Sequence, residues 1–207
     1  MKQSANLFVV ASPSGGGKTS LVKGLLDKLD DIEVSISHTT RQQRDGEEHG
    51  KHYFFVNNDE FNALVDEGAF IESANVFGHA YGTAKEQIID KLNKGIDVFL
   101  DIDWQGARQL KLYFDNVVSI FILPPSVDEL TRRLTKRKQD SQKIIDSRMQ
   151  KAQQEISYYS EFDYLIVNDD FQVALKDLER IICAERLRVE RQAIKYQSLL
   201  SNLLIPK

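Results

Sequence analysis

The fold of this chain is decided by one stretch near its N-terminus, Leu7-Phe8-Val9-Val10-Ala11-Ser12-Pro13-Ser14-Gly15-Gly16-Gly17-Lys18-Thr19-Ser20. Its apolar first part predicts a buried strand, its glycine-rich middle predicts a tight turn, and the apolar residues that follow at helical spacing predict a helix. Such a turn lets several backbone N–H groups converge on phosphate oxygens, and the helix adds the positive end of its dipole. The sequence therefore predicts a phosphate-binding loop.

The residues of this loop have defined roles in nucleotide binding. Lys18 can reach the β- and γ-phosphates, and the Thr19 hydroxyl can bind Mg²⁺. The strict pattern has a glycine where Ser12 stands, so the alternative is a glycine-rich turn with an exposed lysine. The residues that we expect to bind ATP here are Ser14, Gly15, Gly16, Gly17, Lys18, Thr19 and Ser20.

Composition limits the classes of function that the chain can serve. Its 207 residues, 42% hydrophobic and 28% charged, are typical of one globular core with a small insertion or lid. A net charge of −4 gives no overall field that favours nucleic acid. The single cysteine, Cys183, excludes an intramolecular disulfide and is predicted to be a small core residue. With no membrane-spanning run and no signal-peptide pattern, we expect a cytoplasmic protein that binds neither nucleic acid nor membrane, and whether it forms a homo-oligomer stays open.

Strands and helices alternate along most of the chain. The strands are predicted at residues 7–11, 32–37, 96–102, 117–123 and 164–167. This alternation predicts an α/β fold, a P-loop-containing core of three layers in which helices cover both faces of a parallel sheet. Because ligands of such sheets bind at the carboxyl ends of the strands, the loop, Ser37, Asp101 and Asn168 should line one edge.

Two regions interrupt the alternation. Residues 38–83 hold short strand-like pieces around one short helix, which predicts a small α+β nucleotide-binding insertion. Residues 132–151 are basic and poor in large apolar side chains, which predicts a mobile helical lid. The core is then formed by residues 1–37, 84–131 and 152–207, and its last helix is predicted from about Phe171 to Leu200.

Two capping-box patterns predict where helices begin. Thr83 is followed three residues later by Glu86, and Ser126 in the same way by Glu129. Gly95 is predicted to end the helix that the first pattern opens. In both patterns the hydroxyl is expected to cap the helix, and that of Thr83 can in addition face a ligand.

The insertion begins with a segment rich in hydroxyls and arginines, residues 37–44. Arg41 and Arg44 lie three residues apart, and Tyr53 follows after two glycines. Guanidinium groups match the geometry of phosphate oxygens and a phenol adds a neutral donor, so these residues indicate a site for a phosphomonoester. The alternative is a solvated loop with ordinary surface arginines. Beside a phosphate-binding loop, a second phosphate site is what a phosphotransferase needs.

Acidic residues follow two of the predicted strands. Glu72 comes directly after Phe70-Ile71, where a carboxylate needs a donor, either a ligand or an arginine in a structural ion pair. Asp101 and Asp103 end a buried strand, where they can orient Mg²⁺-bound water or accept from a ligand, although Asp103 can be a helix cap alone. Trp104 is expected to pack in the core. No role is assigned to the histidines, which are His38, His49, His52 and His79.

The lid segment is rich in cations. They are Arg132, Arg133, Lys136, Arg137, Lys138 and Arg148. Cations on a mobile segment can close on a transferring phosphoryl group, whose charge spreads in the transition state. The alternative is a solvated basic helix face.

Several of these segments, in this order, resemble the guanylate kinases, the GMP-phosphorylating branch of the nucleoside monophosphate kinases. The matching segments are Ser12 to Ser20, Val34 to Arg41, Arg44 to Glu47, Gly50 to Tyr53, Phe70 to Glu72, Tyr81 to Thr83, Asp101 to Gly106 and Asn168-Asp169. The family's form of the phosphate-binding loop carries a serine at the position of Ser12. The family's lid commonly reads Arg-Gly, whereas this chain has Arg137-Lys138, and Gln142 and Lys143 stand where an acidic residue is common.

The resemblance implies a role for each matching residue. The residues implied to hold the GMP phosphate are Arg41, Arg44, Tyr53 and Tyr81. Those implied to face the guanine are Ser37, Glu72, Thr83 and Asp101. Carboxylates suit the N–H donors of guanine and hydroxyls suit its carbonyl, so the chemistry agrees. The lid arginines Arg137 and Arg148 are implied to reach the ATP phosphates, and Asn168 lies on the ATP side. The residues implied to be catalytic are Lys18, Arg41, Arg137 and Arg148.

The activity implied is transfer of the γ-phosphoryl group of ATP to GMP, giving ADP and GDP in purine nucleotide metabolism. Mg²⁺ would be the cofactor, bound by Thr19 with Asp103 acting through a water. One alternative is a kinase for another nucleoside monophosphate, against which Glu72 and Asp101 argue. The other is a non-catalytic interaction module of the guanylate-kinase-like kind, in which the ATP side is degraded. Against it stands the presence in this chain of Lys18, Thr19, Arg137 and Arg148.

Overall fold

A computed structural model describes residues 5–76, 78–135 and 142–205. Its strands are Leu7–Ala11 (β1), Ile32–Val34 (β2), His38–Thr39 (β3), Phe54–Phe55 (β4), Phe70–Val76 (β5), His79–Ala84 (β6), Asp97–Asp101 (β7), Val117–Leu123 (β8) and Tyr164–Val167 (β9). Its helices are Lys18–Leu26 (α1), Asn58–Asp66 (α2), Lys85–Asn93 (α3), Trp104–Tyr113 (α4), Val127–Thr135 (α5), Gln142–Ile156 (α6), Phe171–Arg186 (α7), Val189–Lys195 (α8) and Gln197–Leu204 (α9). Within these ranges, none of the helices combines the length and the apolar character needed to cross a membrane.

The core is a parallel sheet of five strands in the order β2-β7-β1-β8-β9. Side chains of β1 alternate between its two faces, as the period of a strand requires. Phe8 and Val10 pack with α1 and α7 on one face, and Leu7 and Val9 pack with α3 and α4 on the other. Burial on both faces explains why the strands read as continuous apolar runs. The predicted α/β core with a parallel sheet is confirmed.

Strand register brings the chemistry-bearing segments to one edge of this sheet. Val10 of β1 pairs with Asp101 of β7, and Ala11 pairs with Phe121 of β8. The glycine-rich loop therefore leaves β1 beside the carboxyl end of β7. Asn168 follows β9 and its backbone N–H donates to Leu123 O at 2.8 Å. The loop, Asp101 and Asn168 thus lie at the edge where they are expected.

A second, smaller sheet has the order β4-β3-β6-β5 and is formed by residues of the insertion. Helix α2 packs on it through Phe61, whose ring centroid lies 4.8 Å from that of Phe70. Gly82 faces the same Phe70 ring, where an added Cβ would lie 2.8 Å from the nearest ring atom. The close approach of backbone and ring requires glycine here. Strand β6 runs directly into α3, so this sheet is joined to the core without a linker.

Helices α5 and α6 form the part of the lid segment that the structure describes. Leu130 and Leu134 of α5 and Ala152 of α6 are buried together, with Met149 packed against them. Leu130 and Leu134 also lie against the loop, within 3.4 Å of a Cβ built on Gly15. The Ser126 hydroxyl accepts from the N–H of Glu129 at 3.1 Å, as predicted for the start of α5. Arg137 lies outside the described residues.

Helix α3 begins after Ala84, so the predicted cap at Thr83 is wrong. Thr83 is fully buried in β6, and its hydroxyl donates to Glu72 instead of accepting from the first turn of the helix. The pairing of β6 with β5 reaches Ala84, which extends the strand past the capping pattern. The other end of α3 is confirmed, because Gly95 follows the helix with a φ of 78°.

The C-terminal helix is broken into three, not continuous to Leu200. Helix α7 ends at Arg186, and Arg188 adopts an extended backbone before α8. The buried stripe of α7 stops at Glu185, and Gln192 donates to Arg186 O at 2.8 Å, which satisfies a free carbonyl of the helix end. Cys183 is exposed, so its predicted burial is wrong. It follows the buried Ile182 by one residue, a rotation of about 100° around the helix, and therefore lies on a different face.

Candidate active site

The glycine-rich loop has the backbone geometry that phosphate binding needs. Gly17 precedes α1 with a φ of 92°, and Gly15 has a φ of 91°, both in the left-handed region. Gly16 N–H donates to Pro13 O at 2.9 Å, which closes the turn. Lys18 begins α1, so the free N–H groups of the first helical turn follow the loop directly. An anion at this place meets backbone donors and the positive end of the helix dipole.

Asn168 is packed onto the loop. Its side-chain Nδ2 donates to Gly16 O at 2.9 Å, and it is only 5% exposed. A Cβ added to Gly17 would lie 2.2 Å from the same Nδ2, so the contact depends on glycine. The predicted placement of Asn168 beside the phosphate-binding loop is therefore seen in the structure, with a role in holding the loop.

Arg133 also reaches this corner of the site. Its Nη2 donates to Asn168 O at 3.0 Å, and its Nε donates to Glu129 at 2.7 Å. Sequence reasoning grouped Arg133 with the lid cations and gave it no place in the site. The spacing of Glu129 and Arg133, one helical turn, was a signal that this arginine has a fixed position.

Lys18 is oriented by two groups at the carboxyl end of β7. Its ammonium forms an ion pair with Asp101 and donates to Ile102 O at 3.3 Å. The side chain is 16% exposed and that of Asp101 is 36% exposed. Thr19 and Ser20, the next residues of α1, are exposed. Lys18 therefore lies between the loop and a residue that the resemblance assigns to the guanine.

Ser37, Thr83 and Glu72 are brought together in the smaller sheet. The Thr83 hydroxyl donates to Glu72 Oε1 at 2.5 Å and lies 3.1 Å from the Ser37 hydroxyl. Glu72 is 4% exposed, and burial raises its pKa to about 7, an effect that the Thr83 hydrogen bond opposes and the charge of Asp103 adds to. In the part of the chain that the structure describes, Glu72 accepts from a hydroxyl and pairs with no arginine, so the structural ion pair is not seen.

Gly106 sets the other side of this pocket. A Cβ on Gly106 would lie 2.9 Å from Glu72 Oε2, so any larger residue would push into the carboxylate. Asp103 caps α4 just before it, accepting from Gln105 N at 2.9 Å and from Gly106 N at 3.1 Å. The helix start therefore fixes Gly106 against Glu72. Sequence reasoning quoted Gly106 in a motif without giving it this role.

The predicted phosphomonoester site is a cluster around Arg41. The Arg41 guanidinium donates to both oxygens of Glu47, at 2.7 and 3.0 Å, and lies 5.5 Å from the centre of the Tyr53 ring. Tyr53 and Tyr81 are in edge contact at 5.9 Å, and burial raises the pKa of Tyr53 to about 12, which keeps its phenol a neutral donor. Both bonds to Glu47 come from Nη2 of Arg41, while Nη1 donates to Gln42 O at 2.7 Å. The hydrogen bonds from Arg41 hold the pKa of Glu47 below its usual value.

Arg44 stands apart from this cluster. Its side chain is exposed, and its contacts with Glu47 are made by the backbone: Arg44 N–H donates to the Glu47 carboxylate at 2.8 Å, and Arg44 O accepts from Glu47 N–H at 3.1 Å. The structure brings Arg41, Tyr53 and Tyr81 together and leaves the guanidinium of Arg44 at the rim.

Helix α6 carries two residues of interest on the same face, Arg148 and Glu155, seven residues apart. Arg148 is half-buried. Burial raises the pKa of Glu155, while the charges of Lys151 and Lys18 and the N–H of Ser14 oppose that shift. Glu155 thus faces the phosphate-binding loop. Sequence reasoning missed it, because no motif marks a glutamate in a helix as facing a loop more than a hundred residues earlier.

The C-terminal end of α6 is held to α4 by a stack of rings. Trp104 and Tyr158 stack with centroids 3.7 Å apart, and the Arg108 guanidinium lies 4.7 Å from the Trp104 ring centre. Arg108 also donates to both oxygens of Glu161, at 2.5 and 2.7 Å. Trp104 is half-buried, so its predicted core position is wrong; its ring joins the base of α6 to the helix that follows Asp101 and Asp103.

The residues present fit a magnesium ion that is bound mainly by nucleotide and water. The described parts of the chain hold no group of three or more His, Cys, Asp or Glu side chains that could form a metal cage. Mg²⁺ in phosphoryl-transfer sites needs few protein ligands, since phosphates and waters supply the rest. Thr19, the residue predicted to bind Mg²⁺, is exposed at the start of α1. One oxygen of Asp103 is taken by the helix cap.

Comparison with known proteins agrees with this geometry. The family model for guanylate kinase matches residues 4–185. The chain is 56% identical to the guanylate kinase of Legionella pneumophila (strain Lens) over 201 residues, which cover 97% of this chain and 96% of that one. It is also 56% identical to the guanylate kinase of Escherichia coli (strain K12) over 200 residues, which cover 96% of this chain and 97% of that one.

A solved structure is similar over the whole chain. The crystal structure of guanylate kinase from Anaplasma phagocytophilum has a TM-score of 0.80 with 36% identity, and the match covers 100% of this chain and 98% of that one. The resemblance found in the sequence motifs is thereby confirmed. The chain therefore belongs to the guanylate kinase family and is an ATP:GMP phosphotransferase.

Proposed function

We propose that this chain transfers the γ-phosphoryl group of Mg²⁺-bound ATP to GMP, in purine nucleotide metabolism, with the residues described above in defined roles. The observation that carries this proposal is the pocket of Glu72, Thr83 and Ser37 in the insertion. Among the described residues, the buried Glu72 carboxylate accepts one hydrogen bond, at Oε1, so it keeps acceptor capacity for the adjacent N–H donors of guanine. Adenine offers the opposite pattern at that edge.

The acceptor nucleotide lies across the smaller sheet in this proposal. Its phosphate replaces the Glu47 carboxylate at the Arg41 guanidinium, where the phenols of Tyr53 and Tyr81 add donors. Arg44 at the rim turns inward to the same phosphate, and Asp101 faces the guanine with Glu72. Shape and hydrogen bonding then select the guanine, and charge selects the phosphate.

The donor nucleotide lies along the glycine-rich loop. Backbone N–H groups of residues 14–20 and the ammonium of Lys18 hold the β- and γ-phosphates. Thr19, and Asp103 through a water, would hold Mg²⁺, which would neutralise part of the phosphate charge. Asn168 keeps the loop in position through its bond to Gly16 O. Catalysis then rests on positioning and charge stabilisation, with no covalent intermediate.

The lid completes the donor site. We assign residues 132–151 as the lid, 38–83 as the GMP-binding insertion and the remainder as the core. Arg137 and Arg148 contact the phosphoryl group as the lid closes, and closure excludes water that would otherwise hydrolyse ATP. Support for this arrangement comes from α6, which carries Arg148 and faces the loop with Glu155.

A coupled assay of ADP release tests the proposed function. GMP, AMP, dTMP and no acceptor are compared at equal concentration with ATP and Mg²⁺. We expect turnover with GMP, turnover lower by at least about two decades with AMP, and almost none without acceptor. Equal rates with AMP or dTMP would overturn the guanine assignment. No turnover with any acceptor would favour an interaction module, and Lys18→Ala provides the inactive control.

A further inference from the structure

Asp101 stands at the boundary between the two nucleotide sites. Its carboxylate pairs with the Lys18 ammonium, on the ATP side. The same carboxylate is near enough to Tyr53, on the GMP phosphate side, to add to the rise that burial produces in the pKa of that phenol. Val10 of β1 pairs with Asp101 of β7, and Lys18 opens α1 at the end of the loop that follows β1. One carboxylate therefore lies between Lys18 of the proposed ATP site and Tyr53 of the proposed GMP site.

The ion pair and the ATP phosphates compete for the same ammonium. Lys18 makes two contacts at the end of β7, the ion pair with Asp101 and a donor contact of 3.3 Å to Ile102 O. An ammonium has three protons, so phosphate can be added as a partner, but a carboxylate at the lysine also repels the phosphate charge. As long as Asp101 remains on Lys18, the donor site carries an extra negative charge.

We propose that Asp101 is a positioning residue that couples the two sites: it holds Lys18 in the absence of GMP, and GMP draws the carboxylate away and frees the lysine for ATP. The inference rests on the proposed function, because it takes guanine donors as the competing partner of Asp101. One ion pair then links the binding of GMP to the binding of ATP and so affects the order in which the two sites fill. ATP alone then meets a site with its lysine still held, which limits hydrolysis of ATP without an acceptor.

The burial of the pair sets the size of the effect. With the lysine side chain 16% and the aspartate 36% exposed, solvent screens part of the interaction. A fivefold change in affinity, equal to about 1 kcal/mol, is the upper part of the range for such a pair. Linkage requires the effect to be reciprocal, so ATP must strengthen GMP binding by the same factor.

Calorimetric titration with a non-hydrolysable ATP analogue and Mg²⁺ tests the coupling. In the unmodified protein, saturating GMP should lower the Kd of the analogue by about fivefold. In Asp101→Asn, the analogue should bind without GMP about as tightly as it binds the unmodified protein with GMP, and GMP should change its Kd by less than about twofold. Asparagine keeps the size of the side chain and removes its charge, so the loop should retain its shape.

Ser37→Ala is the matched control, because it removes a hydroxyl from the guanine pocket and leaves the Lys18 ion pair in place. This variant should weaken GMP, yet at saturating GMP it should keep the full effect on the analogue. An analogue that binds Asp101→Asn no more tightly than the unmodified protein in the absence of GMP would overturn the inference. The absence of coupling in the unmodified protein would also overturn the inference. If GMP is still phosphorylated when no coupling is found, the proposed function stands and only the coupling is refuted.

Discussion

The raised pKa of Glu72 makes the affinity for GMP depend on pH in a predictable way. Glu72 must be ionised to accept from the N–H donors of guanine, and burial raises its pKa to about 7 in the protein without ligand. The apparent Kd is then multiplied by one plus the ratio of protonated to ionised Glu72. That factor is about 11 at pH 6 and about 1.1 at pH 8, so kcat/KM for GMP should fall about tenfold as the pH is lowered from 8 to 6.

Two variants separate this effect from titration of the GMP phosphate, whose second pKa is about 6. Glu72→Gln should lower kcat/KM for GMP by about one to two decades, remove the part of the pH dependence due to Glu72, and affect IMP little. Thr83→Val removes the hydrogen bond that lowers the pKa of Glu72, so the midpoint should move to higher pH. The assay is kcat/KM for GMP and IMP between pH 6 and pH 8.5 in all three proteins.

The same shift predicts the stability of Glu72→Gln. Because the folded-state pKa lies above the ordinary value of 4.5, the folded protein binds the proton more tightly than the unfolded chain, and Glu72 lowers the free energy of unfolding as pH rises from about 4.5 through about 7. The loss approaches about 3 kcal/mol above pH 8. Glu72→Gln should therefore melt at a higher temperature than the unmodified protein at pH 8 and at a similar one at pH 4. A variant less stable at pH 8, with equal losses for GMP and IMP, would refute the reasoning.

Three further results are expected. Lys18→Ala should abolish turnover while GMP binds equally well or more tightly by calorimetry, since the lysine belongs to the donor site and releases Asp101 when removed. Arg148→Ala should lower kcat by at least about tenfold with little change in KM for GMP, and a change in kcat within about twofold would favour a solvated helix face. GMP and an ATP analogue together should protect residues 38–83 and 132–151 from hydrogen exchange, and unchanged exchange would contradict closure.

Much of the core and the loop could be predicted because local sequence determines them. Apolar runs of strand length bounded by turn residues fixed β8 and β9 to the residue, and three consecutive glycines before Lys18 left few alternatives to a phosphate-binding loop. The predicted helix cap was wrong because a tertiary contact competed with a local pattern. Thr83 has the right neighbours for a helix cap, but its hydroxyl is already bonded to Glu72.

Residues that face the loop from α5 and α6 could not be predicted, for a physical reason. Whether Arg133 or Glu155 points to the loop depends on how the two helices are rotated, and that rotation is set by the contact of Leu130 and Leu134 with Ala152. Helical periodicity identifies an apolar face but does not say what stands opposite the other faces. The directions that Arg133 and Glu155 face can be inferred only when the packing of the two helices is known.

Gly17 offers a last test, since it combines backbone strain with close packing. Its φ of 92° costs any L-residue about 1–2 kcal/mol, and a Cβ would lie 2.2 Å from Asn168 Nδ2, which would break the bond to Gly16 O. Losing that buried bond adds about 1–3 kcal/mol, so Gly17→Ala should be destabilised by about 2–5 kcal/mol in urea unfolding. Gly68→Ala is the matched control, because its φ of 63° brings strain but nothing lies within 4 Å of its Cβ. If the two variants are equally destabilised, the contact with Asn168 contributes nothing. If Gly17→Ala alone is destabilised by more than the cost of backbone strain, and also loses ATP affinity, Asn168 holds the loop in its phosphate-binding form.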